Sequence, residues 1–468
     1  MKNENKIQAS MFKEVRDKRA IEKAHLYGQQ YLDRAFERNV YPTTEALEDL
    51  KHFEEDLPSR PTEASAVIEF LNTHGSLATT AQIGGRYFGF VNGGVVPAAL
   101  AAKMLATFWD QNAAMHVMSP VSSKLETIVE RWLQQVLGLP DRMVAGLVGG
   151  STAANFCGLA AGRYRLLKRQ NWDVNEKGLF DAPKLRIVLG RDAHASVLKV
   201  LGLLGFGREN FEWVDVDEQG RIIPELIPAL DSRSILILQA GHVNSGAFDL
   251  FNEICSKAKS ANAWIHVDGA FGLWAAAVKQ LRHLTQGIED ANSLAVDCHK
   301  TLNTPYDSGI VLCNDEDAII SVMQSSGSYF VLGGGRDNMM YGLDMSQRAR
   351  AVEVWAALKS LGKEGVNEMV YGLHERALQF ANEIQGIPGF EVLNDVVFNQ
   401  VLVRCESDEL SIKTTERIQE LRECWVGGSI WHGRKVIRVC VCSWATTESD
   451  ITRSVTSFQQ ALHDVKKR

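Results

Sequence analysis

The sequence has no long apolar run, no CxxC pair and no cluster of basic residues. No uninterrupted apolar stretch reaches the roughly 20 residues that a membrane-spanning helix needs. The charged opening, MKNENKIQASMFKEVRDKRA, lacks the apolar region of a secretory signal. Eight scattered cysteines disfavour a zinc ribbon or a thioredoxin-like site, and the net charge of -7 disfavours a nucleic-acid surface. We therefore expect a cytoplasmic protein with reduced core cysteines that binds neither nucleic acid nor a membrane.

The sequence does contain an alternation of β-rich and helical segments. Its 468 residues exceed what one hydrophobic core usually serves. Residues 6 to about 75 carry helical patterns, and six β-rich runs follow in the middle of the chain: LRIVLG, FEWVDVD, SILILQAG, AWIHVDGA, NSLAVDCH and SGIVLCN. Helical patterns separate the earlier runs, which predicts βαβ units and a mostly parallel sheet. The tight spacing before the last run favours one antiparallel strand.

The pattern changes after about residue 345, where long helical segments precede a few short strands and a final helix. This order predicts a second, smaller α+β domain. We therefore expect an α/β protein with an N-terminal helical segment over residues 1–110, a large domain over residues 111–345 and a small C-terminal domain over residues 346–468.

Polar residues follow several of the apolar runs, and open parallel sheets bind ligands beyond the carboxyl ends of their strands. Gly150, Ser151 and Thr152 follow one apolar run and open a helix, so their backbone N–H groups and hydroxyls could bind an anion. Asp268 follows the run WIHV, and a buried carboxylate there needs a partner. Both signals have ordinary alternatives, which are an N-cap for the first and a turn aspartate for the second.

Two further signals are a histidine and a lysine. His194 follows the run RIVLG, although a lone histidine is more often structural than catalytic. Lys300 lies in a turn between two apolar runs, where the ammonium of a merely structural lysine would be costly to desolvate. Together with the helix N-terminus and Asp268, these residues fit pyridoxal 5′-phosphate. That cofactor needs a phosphate site, a partner for its ring nitrogen and a lysine for covalent attachment.

The ordered series of motifs resembles a known family. RYFGFVNGGVVPAALAAKML, SPVSSKLETIVERWL, GGSTAANF, DAHASV, GAFD, HVDGAFG and DCHK are similar to segments of the group II pyridoxal-phosphate-dependent amino-acid decarboxylases, which include the aromatic amino-acid and glutamate decarboxylases. The resemblance spans roughly residues 80 to 445. It implies fold type I, the aspartate-aminotransferase-like fold, in a homodimer with active sites at the interface. It also implies conversion of an L-amino acid to an amine and carbon dioxide. Transamination or carbon–carbon lysis on the same fold, and a catalytically silent scaffold, are the alternatives.

The resemblance assigns roles to individual residues. Lys300 matches the Schiff-base lysine, Asp268 the partner of the pyridine nitrogen and His194 the histidine that stacks on the ring. His299 matches a histidine that borders the cofactor phosphate. Ala270 matches the small residue that packs against the ring.

The phosphate site and a loop tyrosine also have counterparts in the family. Residues 150–152 match the phosphate-binding segment. Tyr329, in SSGSYFVLGGG, matches a tyrosine on a mobile loop that helps to protonate the carbon left by the departing carboxylate. Glycines on both sides favour a mobile loop, and a loop aromatic without a catalytic role is the alternative.

Two stretches leave the substrate open. QAGHVNSGAFD has His242 near the place where many relatives have a threonine, and we expect His242 beside the cofactor. In FGFVNGG, Phe88 and Phe90 fit an aromatic or apolar substrate, whereas Asn92 could serve a polar one. Arg348 could bind the substrate carboxylate or pair at the interface, and an arginine on a helix surface is the alternative.

Overall fold

The apolar runs in the middle of the chain form a seven-stranded sheet in the structure, a computed structural model that describes residues 6–325 and 327–467. Its strands are almost wholly buried because packed layers cover both faces. They are β1 (Val144–Val148), β2 (Arg186–Gly190), β3 (Phe211–Val214), β4 (Ser234–Gln239), β5 (Trp264–Asp268), β6 (Ser293–Asp297) and β7 (Gly309–Cys313). Their order is β1-β7-β6-β5-β4-β2-β3. Strand β7 is antiparallel to both neighbours and the other pairs are parallel, as the sequence predicts.

Helices pack on both faces of this sheet, and further helices precede its first strand and follow its last strand in the sequence. The α-helices are α1 (Lys6–Asp17), α2 (Arg19–Ala35), α3 (Thr44–Asp49), α4 (Ala64–Gly75), α5 (Pro97–Trp109), α6 (Pro120–Leu137), α7 (Ser151–Arg169), α8 (Val174–Lys177), α9 (Ala195–Leu203), α10 (Phe251–Ser260), α11 (Glu316–Met323), α12 (Ala351–Gln385), α13 (Asp408–Leu421) and α14 (Glu448–Lys467). Short 3-10 helices are Leu50–Phe53, Ser76–Ala78, Arg208–Asn210, Pro224–Leu226, Gly272–Ala277, Arg282–Thr285, Ile288–Asp290 and Asn338–Met340.

The C-terminal part of the chain forms a second sheet with its own core. Its strands are β8 (Phe390–Val392), β9 (Gln400–Cys405), β10 (Gly427–Trp431) and β11 (Arg434–Cys440), in the antiparallel order β10-β11-β9-β8. Apolar side chains of α12, α13 and α14 pack against strands of this sheet. The three-part division at residues 110 and 345 stays a prediction.

Some local features differ from the sequence patterns. The first helical stretch is split into α1 and α2 at Lys18, whose φ is 59°. The two helical patterns after residue 345 run together as α12, with non-helical backbone at Gly362. The chain between β5 and β6 forms 3-10 turns and no α-helix. Among the described residues, no helix is both long enough and apolar enough to cross a membrane.

Candidate active site

The carboxyl ends of β5 and β6 bring the principal polar residues together. Asp268 and Asp297 are the last residues of these two parallel strands, and Lys300 follows β6 by three positions. Parallel strands end at the same edge of a sheet, so the chain places Asp268 and Lys300 at one edge, as the sequence predicts. Lys300 Nζ lies 2.8 Å from Asp297 Oδ2.

The charges around Lys300 favour its ammonium form. Burial lowers the pKa of Lys300, but the ion pair with Asp297 and the nearby charge of Asp268 outweigh it, and the net pKa is raised. The lysine is therefore protonated in this arrangement and paired with a carboxylate.

Asp297 is a residue that the sequence patterns did not single out. It is buried, and its Oδ1 accepts a hydrogen bond from the backbone N–H of Ser151 at 2.5 Å. Its Oδ2 lies 3.6 Å from His299 Nε2 and also contacts Lys300. An anionic oxygen thus lies at the N-terminus of α7, where free N–H groups and the helix dipole favour negative charge. Its position at a strand end, three residues before the lysine, was the only signal available in the sequence.

The phosphate-site candidates surround this helix N-terminus. Gly150 is the N-cap of α7, Ser151 is buried and Thr152 is exposed. A Cβ at Gly150 would lie 3.4 Å from His299 Cε1, so the imidazole packs close to the N-cap. His299 Nδ1 accepts from the backbone N–H of Ser308 at 3.1 Å. Burial lowers the pKa of His299, although Asp297 acts in the opposite direction.

Asp268 is a buried carboxylate with two donors. Its Oδ2 accepts from Asn155 Nδ2 at 3.2 Å, and its Oδ1 accepts from the backbone N–H of Ala270 at 3.2 Å. Burial raises the pKa of Asp268, and the charges of His194 and Lys300 act against that rise. Ala270 is half-buried directly after the strand end.

His194 is the N-cap of α9. Its Nδ1 accepts from the backbone N–H of Ser196 at 3.2 Å and lies 2.7 Å from the Ser196 hydroxyl. One side of the residue is exposed, but burial by the surrounding atoms lowers the pKa of His194, and Asp268 partly offsets that effect. A largely neutral, flat ring therefore lies close enough to Asp268 to interact electrostatically.

His242 lies in the turn after β4. It is buried, and burial lowers the pKa of His242 to about 4. Its Nδ1 accepts from the backbone N–H of Asn244 at 3.2 Å, and its ring meets Trp431 edge-on at 5.3 Å. The side-chain oxygen of Asn244 accepts from Ser429 at 2.8 Å. Both residues thus connect this turn to the second sheet.

The substrate candidates have different surroundings. Phe88 is buried in the core of the second sheet, 6.3 Å from the ring of Phe380, which favours packing over substrate contact. Phe90 is 61% exposed and stacks on Trp425 with ring centroids 5.3 Å apart. Asn92 accepts from the hydroxyl of Tyr306 at 2.9 Å. The Tyr306 ring in turn lies 4.3 Å from the His299 ring, so Asn92 borders the site.

Two arginines differ in whether they have carboxylate partners. Arg348 donates to Asp307 at 2.9 Å and pairs with Glu353. Arg438, on β11, donates to the carbonyl of Val243 at 3.2 Å, and no carboxylate within residues 6–325 or 327–467 forms an ion pair with it. Its positive charge lowers the pKa of both His194 and His242, which places it beside the site. The sequence patterns did not identify Arg438.

Tyr329 lies apart from this cluster in the single chain. It is 75% exposed, and its ring contacts Phe330 edge-on at 4.7 Å. Gly333 and Gly334, which follow, have φ values of 97° and 83°, which favour glycine. Ser326, earlier in the same loop, lies outside the described residues.

The donor set fits pyridoxal 5′-phosphate. Ser151 at the N-terminus of α7 already donates its backbone N–H to an anionic oxygen, a half-buried lysine lies beside that oxygen, and a buried carboxylate and an imidazole lie at the adjacent strand ends. These are the groups that hold the phosphate, the aldehyde carbon and the ring of this cofactor.

The chain is similar to known proteins in sequence and in fold. The family model described as the pyridoxal-dependent decarboxylase conserved domain matches residues 48–406. The aromatic-L-amino-acid decarboxylase of Bacillus atrophaeus is 23% identical over 439 residues, 88% of each chain. The acidic amino acid decarboxylase GADL1 of Mus musculus is 26% identical over 68% of this chain and 59% of its own length. The crystal structure of Oryza sativa TDC with PLP and tryptamine has a TM-score of 0.87 at 19% identity, covers 97% of this chain and 98% of its own, and confirms fold type I. The chain therefore belongs to the pyridoxal-dependent decarboxylase family, and it is a carboxy-lyase that uses pyridoxal 5′-phosphate to decarboxylate an amino acid.

Proposed function

We propose that Lys300 holds the cofactor covalently and that Asp268 pairs with its ring nitrogen. In the same proposal residues 150–152 and His299 hold the phosphate, and His194 stacks on the ring. The observation that carries this assignment is the position of Lys300 Nζ, 2.8 Å from the carboxylate that lies at the N-terminus of α7. The carboxylate of Asp297 thus contacts both the proposed attachment lysine and the N-terminus of α7, where an anion would bind.

The bound cofactor withdraws electrons from the bond to the departing carboxylate. The chain's own residues prepare for that step. Asp268 supplies a fixed negative charge at the end of β5, and its burial strengthens its interaction with any cation that it meets. Lys300 must lose its proton before its nitrogen can act as a nucleophile, and Asp297 holds that proton in place until the contact is broken.

We assign the substrate carboxylate to Arg438 in preference to Arg348. The guanidinium of Arg348 is already paired with Asp307 and Glu353. Arg438 donates to a backbone carbonyl, and its positive charge lowers the pKa of the nearby His194. Its guanidinium is therefore more available than that of Arg348 to bind the substrate carboxylate. Arg348 then has the role of fixing the turn that carries Asp307.

We propose that Phe90 and Asn92 face the substrate side chain. Phe90 is exposed and is held by Trp425, which itself stacks on Tyr87 at 5.1 Å. An exposed aromatic face of this kind favours an aromatic or apolar substrate. A panel of aromatic, aliphatic and acidic L-amino acids, scored for amine, oxo acid and carbon dioxide, tests both the substrate class and the reaction.

We further propose a homodimer in which Tyr329 completes the partner's site. Helix α1 has no buried residue, and its apolar side chains Met11, Phe12 and Val15 are exposed. Phe108 at the end of α5 is also exposed. Such exposed apolar groups are typical of surfaces that a partner covers. A cytoplasmic location also stays a proposal, supported by eight cysteines that are all buried free thiols.

The direct test of the site is to fix the cofactor in place. Borohydride reduction of the loaded protein followed by peptide mapping should label Lys300. A label on another lysine, or none on protein loaded with cofactor, would refute the assignment.

A further inference from the structure

A row of buried polar side chains runs along one face of β5 and ends at Asp268. Alternation along the strand puts Trp264, His266 and Asp268 on the same side of the sheet. Helix α7 crosses that side, and Asn155 on the helix lies between His266 and Asp268. The row therefore lies directly behind the carboxylate that we assign to the cofactor ring.

Two glycines of α7 make room for this row. A Cβ at Gly158 would lie 3.0 Å from both Cε1 and Nδ1 of His266. A Cβ at Gly162 would lie 2.8 Å from Nε1 of Trp264. The helix backbone can approach these rings so closely only because both positions lack a side chain.

Hydrogen bonds join the side chains of this row into one continuous hydrogen-bond chain. Trp264 Nε1 lies 3.0 Å from Ser293 Oγ, and Ser293 Oγ lies 2.8 Å from His266 Nδ1. His266 Nε2 lies 2.8 Å from Asn155 Oδ1, and Asn155 Nδ2 lies 3.2 Å from Asp268 Oδ2. All five side chains are buried.

The two ends of the chain fix the direction of every bond. An indole can only donate and a carboxylate can only accept. Asn155 therefore gives its N–H to Asp268 and accepts with its oxygen, which requires the proton of His266 to be on Nε2. The bare Nδ1 of His266 then accepts from Ser293 at 2.8 Å, a shorter contact than the 3.4 Å from the same hydroxyl to the carbonyl of Gly158, and the Ser293 oxygen accepts from Trp264. Every donor thus points toward Asp268.

We propose that this chain of donors is a positioning device that holds the Asp268 carboxylate in one orientation and keeps it ionised for the cofactor ring. The proposal rests on the role of Asp268 given above. It makes Asn155, His266, Ser293 and Trp264 positioning residues that act through Asp268 and do not touch the reacting atoms.

The hydrogen-bond chain requires that the imidazole of His266 is neutral. A doubly protonated ring would have no acceptor for Ser293 and would bring a second charge close to Asp268. Burial lowers the pKa of His266 to about 3, so the ring stays neutral where the enzyme is folded near neutral pH. Asp268 then accepts from a chain of neutral donors.

Nitrogen NMR of the imidazole in the full-length protein, with and without pyridoxal 5′-phosphate, tests the chain itself. We expect His266 to hold its proton on Nε2 and to show no titration between about pH 5 and 8, well above its lowered pKa. A proton on Nδ1, or titration within that interval, would overturn the proposal whether or not Asp268 serves the ring.

Paired variants test whether the chain acts through Asp268. His266→Leu should lower both cofactor affinity and kcat by about 10- to 100-fold, by analogy with the effect of losing an outer hydrogen-bond partner of a metal ligand. His266→Gln, which can still donate to Asn155, should recover part of the loss. His374→Leu is the matched control, because His374 is also buried and its Nδ1 bonds the carbonyl of Phe398, at 2.8 Å, away from Asp268.

The decisive comparison repeats His266→Leu in the Asp268→Ala background. If the chain acts through Asp268, the second substitution should add almost nothing to the loss in cofactor affinity. An equal loss in both backgrounds, or the same loss from His374→Leu, would reduce His266 to a packing role. Ser293→Ala serves where His266→Leu fails to fold: it leaves Nδ1 of His266 without the hydroxyl donor, and the proton should stay on Nε2 because Asn155 still accepts it. The proposed function fails separately, if Asp268→Ala alone leaves turnover intact.

Discussion

Asp268 and Asp249 are both buried carboxylates with hydrogen-bond donors, but only Asp268 has the charges of His194 and Lys300 nearby. Asp249 accepts from the backbone N–H groups of Gln239 and Ile222, both at 2.7 Å. Asp249 therefore holds the backbone, whereas Asp268 is the carboxylate that we propose as the partner of the cofactor ring.

Asp268→Asn should suppress decarboxylation more than it suppresses cofactor attachment. The substitution keeps the size and removes the charge, and a hydrogen bond to a charged group is worth about 1.5–3 kcal/mol, or about 10- to 100-fold in rate. Turnover and cofactor content, measured on the same preparation, check this expectation. Asp249→Asn is the control and should change the melting temperature with turnover per bound cofactor retained. Near-normal turnover of Asp268→Asn would show that Asp268 is not the ring partner.

Arg438→Gln should raise KM for the amino acid with a smaller change in cofactor affinity. Its guanidinium has no carboxylate partner within the described residues, whereas Arg348 is held by Asp307 and Glu353. Losing a charge-assisted contact to the substrate carboxylate costs about 10- to 100-fold in kcat/KM. Arg348→Gln should instead lower the melting temperature, because it leaves the buried Glu353 unpaired. A KM increase for Arg348→Gln alone would exchange the two roles.

His242 makes the fold sensitive to acid. Burial lowers the pKa of His242 to about 4, below its ordinary value of 6.5, so the unfolded chain binds this proton more readily. The stability that comes from the neutral ring is present above about pH 6.5 and is lost as pH falls toward 4, by about 3 kcal/mol in total. Urea unfolding at several pH values should show a shallower acid slope in His242→Asn than in the natural chain. An unchanged slope would show that folding does not lower the pKa of His242.

At the scale of elements, the loop of Tyr329 is an exposed segment that we propose completes the site. Its tyrosine and its apolar neighbours Val331 and Leu332 are all exposed. An exposed loop between glycines can move to reach a site that other elements build. A phenolic hydroxyl delivered in this way could return a proton to the carbon that loses its carboxylate.

Tyr329→Phe should therefore lower amine yield more than carbon dioxide release, because substrate that is not protonated at this carbon is instead protonated at another atom or oxidised by dissolved dioxygen, and both routes give a carbonyl product in place of the amine. General-acid groups contribute typically about 10²- to 10⁴-fold, so the ratio of amine to carbon dioxide should fall clearly. Phe330→Leu, which changes packing in the same loop but removes no hydroxyl, is the control. An unchanged ratio in Tyr329→Phe would leave the residue as a loop aromatic.

The elements that the sequence predicts best are those with continuous apolar runs. All six predicted strands of the middle region form, because strands that are covered on both faces of a sheet need apolar residues on both faces. Strands β1 and β10 were not predicted; β10 begins with two glycines and is partly exposed, so its burial pattern is weak. The aromatic residue Phe88 was expected at the substrate, but its neighbours come from elements about 300 residues away, which no local pattern reveals.

The same reason explains the site residues that the sequence did not identify. Lys300 and Asp268 stand out because a polar residue next to an apolar run is unusual. Asp297, Asn155 and Arg438 owe their roles to contacts across the fold, such as the bond from Ser151 to Asp297. Local periodicity contains no information about such pairs.

At the scale of the whole molecule, two segments of the single chain expose apolar side chains. Helix α1 contributes an apolar row without any buried residue, and the Tyr329 loop is also apolar and exposed. Two copies related by a twofold axis would cover each such surface with the same surface of the other copy. A dimer of that kind can place Tyr329 of one copy over Lys300 of the other.

Mixing two inactive variants tests that arrangement. Lys300→Ala should lack covalent attachment and Tyr329→Phe should lack protonation, so each alone should produce little amine. Refolding or co-expressing them in equal amounts should give dimers of which half are mixed, and each mixed dimer has one site with an intact Lys300 and the partner's intact Tyr329. Amine production should then recover to about a quarter of the natural value. If both residues of a site come from the same chain, no mixed dimer has an intact site, and amine production should stay at the level of the two variants measured separately.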